Sequence, residues 1–221
     1  MKKNVLGVLI VLMLIFSSTV MAGSSGYFEA KLGADFLGEL ELNYEGLNLP
    51  AVDVTTGFSL SGEYKVPLED SQWSLGAGLG YQANRNLETG FINYLNGDSN
   101  SETFNVDFNS TALYALLQYD LANEPIYLVG KLGYSITNAD ISNIPDSRDA
   151  DVDINGGLYY GVGLGYNIGR NYVIEGLYSV NNGEVKIMQE NTEIRRLNDT
   201  NDSGSFVLGY SKFTLSIGMK F

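Results

Sequence analysis

Two pairs of opposite charges in this sequence sit two residues apart, Glu29 with Lys31 and Glu63 with Lys65. In an extended chain that spacing puts both members on one face. Charges gathered on an enclosed face must pair, so the chemistry they offer is ion pairing rather than catalysis. The 221 residues include no His and no Cys. Ser-His-Asp and Asp-His sites therefore lack their base, and a disulfide framework lacks its sulfur. No enzyme activity and no cofactor is expected. Asp149, Asp151, Asp153 and Asn155, followed by Gly156, resemble the start of a calcium loop. The position that should carry its bidentate Glu is Val162. The alternation also simply continues the polar face of the strand that follows, so this is a weak metal candidate.

The elements that carry these residues repeat with a period of two. Phe213, Leu215, Ile217, Met219 and Phe221 alternate with Thr214, Ser216, Gly218 and Lys220. Taken alone, that pattern also fits an edge strand of a soluble sandwich. Eight such strands are predicted, at about 27–35, 54–66, 72–82, 111–120, 126–137, 157–168, 172–180 and 205–221. A bulge is expected near Asn109–Ser110, where the upstream run Phe104–Phe108 is in the opposite phase. Short turns follow strands 2, 4 and 6, and long connections follow strands 1, 3, 5 and 7, the longest at 181–204. This reads as an all-β fold, an eight-stranded antiparallel up-and-down transmembrane β-barrel.

The opposite wrapping, apolar inside and wet outside, belongs to soluble lipocalin-type barrels. The polar faces here are rich in Gly, Ser and Thr with few charges, which suits a crowded interior rather than a water-facing wall. Aromatics gather at the ends of the apolar faces. The lower ring is Phe28, Tyr64, Trp73, Tyr119, Tyr166, Tyr172 and Phe221. The upper ring is Phe36, Phe58, Tyr81, Tyr134, Tyr160 and Tyr178. Two aromatic girdles flanking an apolar band mark a membrane barrel. Its lumen then receives Glu29, Lys31, Asp35, Glu63, Lys65, Lys131, Glu175, Lys212 and Lys220. Glu29, Lys31, Glu63, Lys65 and Lys220 fall near the periplasmic end, where a salt-bridge network that plugs the floor is expected. The alternative is a water-filled end with solvated charges. Tyr27, Tyr114, Tyr127 and Tyr159 are expected to fill the space opposite the lumen glycines.

The N-terminus reads as a secretory signal peptide at 1–22, cleaved after Ala22, with a basic start, a short apolar run and a small-residue site. That leaves a barrel domain over 23–221 with 11 basic and 26 acidic residues, a net −15. Such a chain is not expected to bind nucleic acid through phosphates. Eighteen of the acids fall in the long connections with five basic residues, Arg85, Arg148, Lys186, Arg195 and Arg196, so the rim is near −13.

The terminal strand, the Pro-Ile-Tyr-Leu-Val-Gly-Lys-Leu-Gly-Tyr stretch at 125–134 and the Gly-Val-Gly-Leu-Gly-Tyr stretch at 161–166 resemble those of the OmpA-like small outer-membrane β-barrels. The resemblance spans the mature chain. It implies the outer membrane of a Gram-negative bacterium, with both termini periplasmic. It implies that Phe213, Leu215, Ile217, Met219 and Phe221 act as the signal read by the assembly machinery. It further implies contact with outer-membrane lipid and lipopolysaccharide, and an extracellular or host partner at the loops. Ending at Phe221, the chain is expected to lack the peptidoglycan-binding domain of larger members. The leading expectation for function is a structural or adhesin-like role through the acidic loops. The alternative is a narrow passive channel of the porin type for ions or small solutes.

Overall fold

A computed structural model describes residues 26–44, 47–48, 52–86, 105–142, 150–189 and 205–221. The expected signal peptide, 1–22, lies outside them. Eight long strands form the body: β1 (Tyr27–Tyr44), β2 (Gly57–Pro67), β3 (Trp73–Asn86), β4 (Asn105–Asp120), β5 (Ile126–Ser142), β6 (Gly157–Ile168), β7 (Tyr172–Gln189) and β8 (Ser205–Lys220). Each pairs antiparallel with its neighbours in sequence, and β8 returns to β1, with Ala30 opposite Met219 and Ala34 opposite Leu215. The ladder is therefore a closed eight-stranded all-antiparallel barrel, and closure leaves no open edge in its wall. Shorter strands at Val52–Val54 and Ala150–Asn155 extend the wall, pairing with β1 and β7. Among the described residues there is no helix.

Alternation sorts the wall. On β8, Phe213, Leu215, Ile217 and Met219 face outward, while Lys212, Thr214, Ser216 and Gly218 are buried. On β5, Leu128, Leu132 and Ile136 face outward, while Tyr127, Val129, Lys131 and Ser135 are buried. The outer apolar wall is thus continuous around the barrel, the reverse of a soluble one. Of the expected girdle, Phe28, Phe36, Phe58, Trp73, Tyr81, Tyr160, Tyr166, Tyr172, Tyr178 and Phe221 are exposed. Tyr64, Tyr119 and Tyr134 are half-buried. Tyr119 stacks on Trp73 at 4.6 Å, and the Tyr134 hydroxyl donates to the Gly156 carbonyl at 2.7 Å.

The three tight turns each use one residue in the left-handed region, Asp70, Asn123 and Gly169, types that tolerate it. Several strands run beyond their predicted ends, because polar residues also sit on the wall above the apolar band. On β1 the register slips between Phe36 and Glu39, with Leu37 at φ 49°. Past that bulge the inward set changes from odd to even positions, and Leu40 points inside.

The bulge expected near Asn109–Ser110 is not present. Strand β4 pairs with β5 in unbroken register from Asn105 to Asp120, and the irregularity lies on β3, between Gln82 and Arg85. Phe108 belongs to the buried face with Ser110, Ala112 and Tyr114. The upstream apolar residue signals an apolar patch inside the barrel, not a change of phase.

Candidate functional site

Two ionic clusters occupy the lumen. In the lower one, Lys31 contacts Glu29 at 2.9 Å, Glu63 at 3.0 Å, and Glu175. Lys65 contacts Glu29 at 3.1 Å and Glu63 at 3.2 Å, and donates to the Gln118 side-chain carbonyl at 3.0 Å. Lys131 bridges Glu63 at 2.6 Å and Glu175 at 2.8 Å. Three ammonium groups thus match three carboxylates. Tyr114 donates to Glu63 at 2.9 Å and Tyr127 to Glu175 at 3.1 Å. All six charged side chains are no more than 3 % exposed. Isolated charges at that depth would be expensive, and saturation with opposite charge and hydrogen bonds is what makes the arrangement stable.

The elements explain how it assembles. Glu29 and Lys31 come from β1, Glu63 and Lys65 from β2, Lys131 from β5 and Glu175 from β7. The i, i+2 pairs share a face within a strand, while Lys131 and Glu175 reach in from the other side. The aromatic filling is lopsided. Tyr114, Tyr127 and Tyr159 come from β4, β5 and β6, and the first two lean over chain without side chains. A Cβ on Gly165 would lie 1.9 Å from the Tyr127 ring, and one on Gly78 would lie 2.5 Å from Tyr114. Carboxylate oxygens of Glu29, Glu63 and Glu175 fall within 4.8 Å of one another. That spacing fits a cation, but the three lysines already supply the positive charge there.

The upper cluster centres on Asp35. Lys212 lies 2.9 Å away, Arg85 contacts the same oxygen, and Ser59 and Thr214 donate to the other at 3.0 and 2.6 Å. Arg85 also donates to the Thr55 carbonyl at 3.0 Å. The sequence reading placed Arg85 in an outer loop. It is instead 2 % exposed inside the barrel, because the β3 irregularity between Gln82 and Arg85 turns an odd position inward after a run of even ones. No composition signal marks that slip.

Lys220, expected in the floor network, makes no ion pair among the described residues. It donates to Asn167 at 2.6 Å and lies 5.0 Å from the centre of the Tyr27 ring. The nine charges expected in the lumen therefore divide into the lower cluster, Asp35 and Lys212 of the upper cluster, which Arg85 joins, and this lysine without an ion pair among the described residues. Asp149 lies outside the described residues. Asp151, Asp153 and Asn155 lie on the Ala150–Asn155 strand, paired in register with β7, an extended backbone rather than the coiled loop that wraps calcium. Of the basic residues assigned to loops, Lys186 lies on β7 opposite Asp153.

The sequence matches the family model for the outer membrane protein beta-barrel domain over residues 8–221. The chain belongs to that family. Solved relatives share its architecture at low identity. The outer membrane protein OprG from Pseudomonas aeruginosa is 13% identical over 90% of this chain and 97% of its own, with a TM-score of 0.51. Neisserial surface protein A is 14% identical over 89% and 99%, with a TM-score of 0.51. The outer membrane protein AlkL, solved in lipid bilayers, is 16% identical over 90% and 91%, with a TM-score of 0.50. At such identities the likeness shows the fold alone. No curated protein is matched. The outer-membrane barrel thus has a fold in common with these proteins, and its lumen chemistry has to be read from its own residues.

Proposed function

We propose that this outer-membrane barrel is a closed structural and surface-presenting protein rather than a conduit. Its acidic outer connections are the contact surface. The observation that carries the reading is the lower cluster, in which side chains from β1, β2, β5 and β7 meet in one neutral lattice across the lumen. An eight-stranded barrel has an interior just wide enough to fill with side chains, and this one fills it with paired charges and tyrosines. In this reading both termini and the tight turns face the periplasm, and the long connections face outward with lipopolysaccharide around them. A rim rich in carboxylates would repel neighbours and gather cations or a basic partner.

The second reading, a narrow passive channel, draws support from the glycine-rich inner strips at Gly76, Gly78, Gly80 and Gly161, Gly163, Gly165. Those strips lie under tyrosine rings at Gly78 and Gly165, which favours closure. Liposome swelling separates the two. Vesicles carrying the refolded barrel are expected to swell in small sugars no faster than empty vesicles. Swelling at a rate that rises with the amount of barrel would overturn the closed reading.

A further inference from the structure

Between the two ionic clusters the lumen holds a cavity of about 60 Å³. Its lower side is formed by Lys31, Lys131 and Glu175, and its upper side by Lys212, Gln82 and Asn181. The Asn181 side-chain oxygen is buried without a protein hydrogen bond, and the buried Gln82 amide and Ser179 hydroxyl have only the Tyr210 and Tyr159 hydroxyls close by, in poor hydrogen-bond geometry. Asn181, Gln82 and Ser179 all border this cavity. Buried donors and acceptors left unsatisfied beside one lumen cavity call for water, which serves as both. At roughly 10–15 Å³ of such volume per molecule, the space suits about four to six waters.

Above the upper cluster there is a second closure of a different kind. Phe108 on β4 meets Tyr210 on β8 edge to face, with ring centres 5.1 Å apart. These strands are four apart in a ring of eight, so the contact spans the full width of the lumen. Both rings are at most 5 % exposed, and Leu40 and Val54 are buried as well. The Tyr210 hydroxyl lies near Gly38, where a side chain would crowd it.

We propose that the lumen is a double-sealed water chamber. The lysine–glutamate lattice closes it below. The Phe108–Tyr210 bridge, braced by Arg85, Asp35 and Lys212, closes it above. A passage exists only when both seals are removed. This rests on the closed reading above and goes beyond it, since that reading needs only one barrier.

The test uses the absence of Cys in the chain. A thiol is introduced by Ser179→Cys, at the wall of the chamber, and probed with a small charged methanethiosulfonate. It is placed in four refolded backgrounds: the otherwise unchanged barrel, Phe108→Ala with Tyr210→Ala, Lys131→Thr with Glu63→Thr, and all four substitutions together. The lattice substitutions remove one charge of each sign. Where that pair does not refold, Lys31→Thr with Glu175→Thr opens the same lattice. The thiol is expected to be protected in the unchanged barrel and to lose protection in each single-seal background. Planar-bilayer current is expected only in the combined variant. A single-seal variant that conducts like the combined one, or a thiol that stays protected with either seal removed, would overturn the proposal. A thiol that reacts in the unchanged barrel would overturn it as well, since one seal then leaks; current through the unchanged barrel would instead sink the closed reading itself.

Discussion

Lys131 holds two carboxylates at once, 2.6 Å from Glu63 and 2.8 Å from Glu175. Removing its charge leaves both glutamates short of a partner in a site that water does not reach freely. Lys131→Met is therefore expected to cost about 3–5 kcal/mol in denaturant unfolding from lipid, the range for breaking a buried pair on one side. Lys220 provides the contrast. It is half-buried and bonded to a neutral amide, so Lys220→Met is expected to cost less, about 1–2 kcal/mol. Equal losses for the two variants would show that the lattice is no more than a set of solvated surface pairs. The contrast was only half legible beforehand. The i, i+2 spacing places Glu29 with Lys31 and Glu63 with Lys65 on one face. It says nothing of which charges cross the lumen, because Lys131 and Glu175 meet them from strands that are not their ladder neighbours.

At the scale of the strand, the inner wall works because bulky and absent side chains face each other. Gly165→Ala would place a carbon 1.9 Å from the Tyr127 ring, while Gly80→Ala would meet the Tyr114 ring at an ordinary 3.5 Å. The first is expected to lose about 1–3 kcal/mol through overpacking. The second is expected to be tolerated, and gel-shift melting temperatures would rank them. The reverse order would mean that Tyr127 does not hold its place in the lumen. Strand positions themselves follow from alternation, and β6 spans the predicted 157–168 without change. What alternation cannot supply is the point where it slips. At Leu37 and again between Gln82 and Arg85 the phase changes by one residue, and a one-residue slip carries every later side chain to the other face. Arg85 was misplaced for that reason. Phe108 was misjudged for the opposite one, since an apolar residue on an inner face looks the same as a strand out of phase.

For the molecule as a whole, closure of the ladder and an apolar outer wall are what make it an integral protein of the outer membrane. Leu32, 53 % exposed on that wall midway between Phe28 and Phe36, is expected to tolerate no charge. Leu32→Arg should cost roughly 2–4 kcal/mol when unfolding is measured in bilayers. A loss near zero would mean that this face does not meet the apolar core. The central claim, however, concerns the inside. It is tested most directly by single-channel recording of the refolded, unmodified barrel in a planar bilayer, after its gel shift on heating shows that it has folded. The lattice of Lys31, Lys65 and Lys131 with Glu29, Glu63 and Glu175 predicts a silent membrane. Discrete, reproducible current steps from the unmodified protein would contradict it.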